Sequence, residues 1–103
     1  MLVLTPKMGV NYFNDGIAVH KETYYNLNMS RVVKTAQERG LNGFYWERWD
    51  GVKMYGAHII VAANQKYHPY GSVVMTSLGT GIVLDTGEFA ETNPEQYDIA
   101  VTW

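Results

Sequence analysis

Apolar and polar positions alternate along much of the chain, and this period of two predicts short strands separated by tight turns. The predicted strands lie at about 20–25, 57–63, 72–76, 80–84 and 97–102. Residues 44–49 alternate into Asp50-Gly51, which is typical of a β-hairpin. Residues 1–19 show no regular pattern beyond a turn at 14–16, and we expect them to be irregular.

One segment has helical spacing instead. Val32, Val33 and Ala36 recur on one side, and the positions between them are mostly polar. Ser30 is a natural N-cap and Gly40 a natural stop, so we expect one helix between them. Its three apolar residues should face the sheet, which makes a structural helix the favoured interpretation.

The chain has 103 residues, of which 47% are hydrophobic, and this is the size of one small domain with one core. No linker or internal repeat is visible, so residues 1–103 are interpreted as a single domain. Six or so short strands and one helix favour a mainly β fold, a small closed barrel with an external helix.

Charge and composition exclude several classes of function. The net charge is −2 with no basic run, so nucleic acid is not an expected partner. The chain has no cysteine, and His20, His58 and His68 lack ligand-type spacing, so no metal site or cofactor is expected. The longest apolar runs, such as 59–63, are too short to span a membrane. The first residues lack the pattern of a signal peptide, which leaves a cytoplasmic chain, a processed fragment or another export route open.

The segment 82–87 carries the first candidate for chemistry. An apolar strand ends in Asp85, followed by the hydroxyl of Thr86 and the flexible Gly87. This pattern places a carboxylate at the tip of a strand. Asp-Thr-Gly also occurs in aspartic proteases, but too little chain follows it here to supply the rest of that fold.

Asp98 is the second candidate acid. If residues 97–103 alternate, Tyr97, Ile99 and Val101 face the core, and Asp98 lies on the other face with small neighbours. A carboxylate above a floor of small residues, Ala100 and Thr102, would suit a substrate groove. A solvated aspartate at a strand start is the simpler interpretation of this residue taken alone.

The order of four motifs resembles a known family. Residues 61–74, Val-Ala-Ala-Asn-Gln-Lys-Tyr-His-Pro-Tyr-Gly-Ser-Val-Val, are similar to the pattern V-A-V-D-P-x-x-I-P-L-G-T-x-V. Residues 85–87 resemble the D-T-G that follows it, residues 97–99 its closing x-D-[IL], and residues 22–25 the T-A-Y of its opening strand. This is the three-aspartate domain, related to the catalytic barrel of membrane-bound lytic transglycosylase A and to stationary-phase muralytic proteins of Gram-positive bacteria.

Three departures from the family pattern stand out. Asn64 occupies the place of the first family aspartate. Residues 88–93 replace a G-G-A-I-K-G segment and remove its lysine, and residues 30–56 have no clear counterpart. The lost lysine bears on substrate affinity more than on catalysis.

The resemblance implies a six-stranded double-psi β-barrel and a lytic transglycosylase-like activity on the glycan strand of peptidoglycan, outside the cytoplasm or in the cell wall. Asp98 would be the acid/base, and Asp85 would raise its pKa or orient it. The substrate-binding residues would be Glu22, Thr23, Tyr25, Asn64, Thr86 and Gly87. Tyr25, Trp46 and Trp49 are candidate platforms for sugar rings.

Other functions stay open at this point. A barrel of this shape could bind glycan without cutting it, and Asn64 and the missing lysine favour that alternative. Asp85 and Asp98 could also act as a true hydrolase pair on polysaccharide. An accessory module of a phage or mobile element is a further alternative.

Overall fold

The computed structural model describes residues 2–103. This part of the chain contains eight strands and two helices. In chain order they are β1 (Asn11–Asn14), β2 (Val19–Tyr25), α1 (Ser30–Glu38), β3 (Tyr45–Glu47), β4 (Lys53–Tyr55), β5 (His58–Ala62), β6 (Val73–Thr76), β7 (Gly79–Asp85), α2 (Phe89–Thr92) and β8 (Tyr97–Ala100). The mainly β prediction is therefore confirmed, as are the predicted hairpin and the strands that follow it.

All eight strands belong to one sheet. Its main path runs β1-β2-β8-β5-β4-β3, and β7 pairs with β5 on the other side and with β6. The pairs β2–β8 and β5–β7 are parallel, whereas the other strand pairs are antiparallel. These pairings do not close the sheet into a barrel, because β1, β3 and β6 each have a single partner strand within residues 2–103.

Both faces of the central strand β5 are covered, which explains its unbroken run of buried residues from Ile59 to Ala62. One face packs on an inner cluster, and the other packs beneath α1. The inner cluster comprises Leu4, Val52, Met54, Ile59, Val61, Ala63, Val74, Val83, Tyr97, Ile99 and Val101. The outer cluster comprises Met29, Val32, Ala36, Tyr55, Ile60, Ile82, Leu84 and Ala100.

Helix α1 faces the sheet as its spacing predicts. Val32 and Ala36 are buried and Val33 is half-buried in the outer cluster. Gly40 follows the helix with φ of +84°, a conformation that favours glycine and confirms the predicted stop. Neither α1 nor α2, the helices of residues 2–103, has the length and apolar character needed to cross a membrane.

The start of α1 differs from the prediction. Ser30 is the first helical residue, and Met29 is the N-cap, with no hydrogen bond from its side chain. Asn28 supplies the missing acceptor, because its Oδ1 accepts a 2.9 Å bond from the Ser30 backbone N–H.

Strand β1 contradicts the expectation that residues 1–19 are irregular. Its pairing with β2 places Asn11 opposite Glu22. Asn11 is buried although it is polar, since its amide Nδ2 donates to Glu22 Oε1 at 3.0 Å and to the Leu2 carbonyl at 3.2 Å. A strand whose inward position carries an amide lacks the apolar alternation that would have predicted it.

Candidate functional site

Asp98 lies at the start of β8, between β2 and β5. It registers with Thr23 across the parallel pairing and with Ala62 across the antiparallel one. The Thr23 hydroxyl donates to Asp98 Oδ1 at 2.9 Å. The carboxyl group is half-buried, so it combines limited hydration with access from solvent.

A chain of side-chain hydrogen bonds fixes the direction of this contact. Asn93 Nδ2 donates to Gln96 Oε1 at 3.3 Å, and Gln96 Nε2 donates to Thr23 Oγ1 at 2.9 Å. Because Thr23 Oγ1 accepts from Gln96, its own proton is directed to Asp98 Oδ1. Within residues 2–103, no side chain or backbone N–H donates to the second oxygen of Asp98, which is left free to carry a proton.

The pKa of Asp98 is raised above its usual value. Burial is the main cause, because a partly dehydrated carboxylate is less stable than the neutral acid. The bond from Thr23 opposes the shift, and the nearby charge of Asp85 adds to it. These opposing influences keep more of the acid form of Asp98 at a given pH than an exposed aspartate would have.

Asp85 ends β7, and both of its carboxylate oxygens have donors. The Tyr25 hydroxyl donates to Oδ2 at 2.8 Å, and the Thr86 backbone N–H donates to Oδ1 at 2.9 Å. Burial and the negative charge of Asp85 raise the pKa of Tyr25 far above its usual value, so that its phenol remains a donor. Asp85 is therefore a fixed, oriented acceptor.

The two acids do not lie on neighbouring strands, although the charge of Asp85 acts on Asp98. Strand β5 separates them, and Ala62 registers with Asp85 on one side and with Asp98 on the other, next to a register shift in β5. Two interstrand spacings put their backbones roughly 9–10 Å apart. Their hydrogen-bond donors, Thr23 and Tyr25, are two residues apart on β2 and so share one face of it.

The floor beneath Asp98 is not open. Ala100 is fully buried in the outer cluster, because α1 covers that face of β8. Thr102 lies beyond the strand, and its backbone N–H donates to the Gly51 carbonyl at 2.8 Å. The expectation of a groove floored by these two small residues is therefore wrong.

A groove of about 190 Å³ instead lies between the end of β7 and α1. Asp85 and Thr86 line it together with polar and cationic side chains, whereas Asp98 is not among its lining residues. Its other lining residues are Arg31, Val32, Thr35, Arg39, Gln65, Tyr70 and Leu84. The Arg39 guanidinium lies over the Tyr70 ring at 4.0 Å, which holds a positive charge at the groove wall.

Asn64 fixes the loop after β5 through its side-chain hydrogen bonds. Its Oδ1 accepts from the backbone N–H groups of Lys66 at 2.9 Å and Tyr67 at 3.1 Å, and its Nδ2 donates to the Ala90 carbonyl at 3.0 Å. An aspartate could not make the last of these bonds. Asn64, Thr86 and Gly87 line one shallow depression beside the groove.

Glu22 does not lie on a groove wall, and its predicted contact with substrate is wrong. It is 0% exposed. Its Oε2 accepts from the Ser77 backbone N–H at 2.8 Å, and its Oε1 accepts from Ser77 Oγ at 2.6 Å and from Asn11. The carboxyl group is an internal link between β2 and the turn that joins β6 to β7.

The two tryptophans considered as sugar platforms lie away from the acids. Trp46 is on β3 and donates to the Gly56 carbonyl at 2.7 Å, and Trp49 is 92% exposed in the turn after it. The β3–β4 hairpin joins β5 at Ile59, whereas both acids register with Ala62 at the other end of β5. Of the three proposed aromatic platforms, only Tyr25 contacts the acid site.

Gln96 is a member of the site that its sequence position did not reveal. It is buried at 6% exposure beside Tyr97, where a polar side chain before a strand would ordinarily be solvated. Its role depends on the parallel pairing of β2 with β8, which no local pattern encodes.

No family model, curated protein or solved structure matches this chain. The resemblance to the three-aspartate domain thus stays a prediction.

Proposed function

We propose that this chain is a peptidoglycan-cleaving domain of the lytic transglycosylase type, with Asp98 as its acid/base. The observation that carries the proposal is the state of Asp98. It is a half-buried acid with a raised pKa, one oxygen held by Thr23 and the other free, close to a second carboxylate. General acid catalysis needs an acid of this kind at the pH of the reaction.

The proposed reaction uses one acid and no water. Asp98 gives its proton to the glycosidic oxygen as the bond from that oxygen to C1 of the muramic ring breaks. The leaving sugar departs with a new hydroxyl, and positive charge develops at C1. The muramic 6-hydroxyl then attacks C1, and its proton returns to the Asp98 carboxylate. A 1,6-anhydro ring is formed, and the acid is regenerated.

Asp85 would act by charge and orientation in this scheme. Both of its oxygens accept hydrogen bonds, from Tyr25 and Thr86, which makes it a poor nucleophile. A fixed negative charge near the reacting centre would stabilise the positive charge at C1. The same charge contributes to the raised pKa of Asp98.

The finer fold assignment is also part of the proposal. We infer that the sheet is a variant of the double-psi β-barrel with additional strands. The two parallel pairings, β2–β8 and β5–β7, support this because crossing parallel connections are the core of that architecture. Side chains bridge the gap between β2 and the β6–β7 turn, where Glu22 bonds to Ser77 and Ser77 Oγ accepts from the Leu4 backbone N–H.

The arginines beside Asp85 suit an anionic polymer. Arg31 and Arg39 line the groove together with Asp85. Peptidoglycan carries carboxylates on its lactyl and peptide groups, and arginine binds carboxylates through two parallel hydrogen bonds. The proposed partner is therefore the peptidoglycan glycan strand, and the proposed location is outside the cytoplasm.

Mass spectrometry of products released from purified peptidoglycan tests the proposal. A lytic transglycosylase releases 1,6-anhydro-muropeptides, which are lighter by one water molecule than hydrolysis products. Reducing-end products would identify a hydrolase that uses Asp85 and Asp98 as a pair. Glycan binding with no released product would support the non-catalytic barrel. The Asp98→Asn variant is the matched control, since it keeps the shape of the side chain.

A further inference from the structure

A second cluster of chemically active side chains lies apart from the acid site. It brings together His20 at the start of β2, His68 in the loop before β6, and Glu95 in the loop before β8. One ligand-type atom from each of the three lies within 4.8 Å of the other two. Their separation along the chain is 48 residues for the histidines and 27 from His68 to Glu95, so no sequence spacing predicts the cluster.

The contacts of His20 are unusual for a buried imidazole. The whole residue is 1% exposed. Its Nε2 lies 2.7 Å from Asp15 Oδ2, and its Nδ1 lies 2.7 Å from the Glu95 carbonyl oxygen. Both of these oxygens are acceptors, and a neutral imidazole has only one N–H to offer. When Nε2–H donates to Asp15, the Nδ1 lone pair faces an oxygen lone pair, a conflict that is relieved by either a second proton on the ring or a metal ion bound at Nδ1.

Asp15 is built as an acceptor for Nε2. Its Oδ1 accepts from the backbone N–H groups of Ile17 at 2.8 Å and Ala18 at 2.9 Å, which leaves Oδ2 for His20. A carboxylate that accepts one ring N–H of a histidine and leaves the other nitrogen bare is the usual outer partner of a metal-binding histidine.

Besides its contact with the Glu95 carbonyl, Nδ1 of His20 lies near the other two candidate ligand atoms. Glu95 Oε1 lies 3.6 Å from His20 Nδ1 and 2.9 Å from His68 Nε2. Ligand atoms around a tetrahedral zinc ion, at bond lengths near 2.0–2.1 Å, are separated by roughly 3.3 Å. The contact of His20 with Glu95 is close to this separation, whereas the His68–Glu95 pair is at hydrogen-bond distance and would open slightly to admit an ion.

Packing holds the two rings in this arrangement. Tyr97 stacks on His20 with ring centroids 4.3 Å apart and meets the edge of His68 at 5.2 Å. The side chains of His20 and His68 are 2% and 16% exposed, whereas Glu95 is 42% exposed and leaves the cluster open to solvent on one side.

We propose that His20, His68 and Glu95 form a divalent transition-metal site, for which zinc is the best fitting ion. The ligand atoms would be His20 Nδ1, His68 Nε2 and Glu95 Oε1, with Asp15 as the outer partner that sets the tautomer of His20. Two nitrogens and one carboxylate oxygen are a donor set that zinc accepts, with a fourth position for water or the Glu95 carbonyl. The ion would tie β2 to the two loops that precede β6 and β8, independently of the acid site.

Metal titration of the full chain tests the proposal. After chelator treatment and removal of the chelator, calorimetry with zinc should show one ion bound per chain, and the Tm should rise with zinc concentration. Cobalt(II) should give the intense visible absorption of a four-coordinate ion. The expected stoichiometry and the cobalt spectrum distinguish a built site from weak surface binding.

Variants locate the site. His68→Gln removes a ligand from the half-buried side of the cluster, and His58→Gln is the matched control, since His58 begins β5 and is not part of the cluster. His68→Gln should abolish the zinc-dependent rise in Tm, whereas the control should keep it. Asp15→Asn should weaken zinc binding by about 10–100-fold, as is usual for an outer partner.

Three outcomes would overturn the proposal. The first is that the chain takes up no zinc, and the second is that the His68 and His58 variants bind zinc with equal affinity. The third is a ¹⁵N NMR spectrum in which both ring nitrogens of His20 carry protons and do not respond to zinc. In the last case hydrogen bonds alone, without a metal ion, account for the contacts of His20, His68 and Glu95. The Tm of each variant without metal shows whether it folds. If His68→Gln does not fold, His68→Asn takes its place.

Discussion

The Thr23 hydroxyl donates a 2.9 Å hydrogen bond to Asp98 Oδ1 across the parallel pairing of β2 with β8. This bond favours the charged form of Asp98, whereas burial and the charge of Asp85 favour the neutral acid. The balance of these influences sets the pH at which Asp98 can give up a proton. Each can be altered separately by a conservative substitution.

Thr23→Val removes the hydroxyl and keeps the shape of the side chain. The pKa of Asp98 should rise further, because the bond that lowers it is lost. The fall in activity with rising pH should then move to higher pH. The pH–rate profile of kcat/KM for peptidoglycan cleavage measures the shift, with Thr80→Val on β7 as the control. A profile that stays in place would show that Thr23 does not act on Asp98.

Asp98→Asn removes the transferable proton and keeps the acceptor for Thr23. Release of anhydro-muropeptides should fall by about 10²–10⁴-fold, the usual contribution of a positioned acid–base group. Product release is measured by mass spectrometry at matched protein concentration. Cleavage at the parental rate would show that another group supplies the proton.

The same substitution should not weaken the fold at neutral pH. The folded-state pKa of Asp98 is raised above its usual 3.8, so ionisation of this group opposes folding. This destabilisation by the charged Asp98 is absent below the pKa that Asp98 has in the unfolded chain and is fully present above its pKa in the folded protein. Asp98→Asn removes it. Urea unfolding should therefore show a variant that gains stability over the parent as pH rises from about 3 to 7, and a loss over that range would contradict the raised pKa.

Local patterns predicted most of the secondary structure because one face of most elements is plainly apolar. Val32 and Ala36 revealed α1, and the alternation of Tyr97, Ile99 and Val101 revealed β8. Strand β1 was missed because its inward residue Asn11 is polar and finds its partner, Glu22, on another strand.

The acid site was predicted only in part. Tyr25 does contact Asp85, and Thr23 does contact Asp98, but the placement of Glu22 was wrong, since a charged residue on a strand is normally solvated and this one is held inside by Ser77. Gln96 was missed for the same reason. Contacts of this kind depend on which strands become neighbours, and that information is not local in the sequence.

The internal link formed by Glu22 should be a large contributor to stability. In Glu22→Gln, one carboxylate oxygen becomes an NH₂ group, which faces either the Ser77 backbone N–H or the Asn11 NH₂, so that two donors meet in a buried place in both orientations. The free energy of unfolding should fall by about 1–3 kcal/mol, the cost of an unsatisfied buried polar group. Chemical denaturation measures it, with the exposed Glu38→Gln on α1 as the control. Equal stability of the two variants would show that Glu22 does not link β2 to the β6–β7 turn.

Asp85→Asn should shift the pH profile in the direction opposite to Thr23→Val. The negative charge of Asp85 helps to raise the pKa of Asp98, so its removal should lower that pKa. Since Asp98 must be protonated to act, the loss of activity with rising pH should begin at lower pH. The amide oxygen can still accept from the Tyr25 hydroxyl, whereas the bond from the Thr86 backbone N–H is lost.

Tyr25→Phe is the matched control for this comparison. It removes the hydrogen bond at Asp85 but keeps the charge, so the profile should move less than in Asp85→Asn even if kcat falls. The two profiles are measured on the same peptidoglycan preparation and at the same ionic strength, because salt screens the interaction between the acids. A shift to higher pH in Asp85→Asn, or an equal shift in both variants, would contradict an electrostatic role for Asp85.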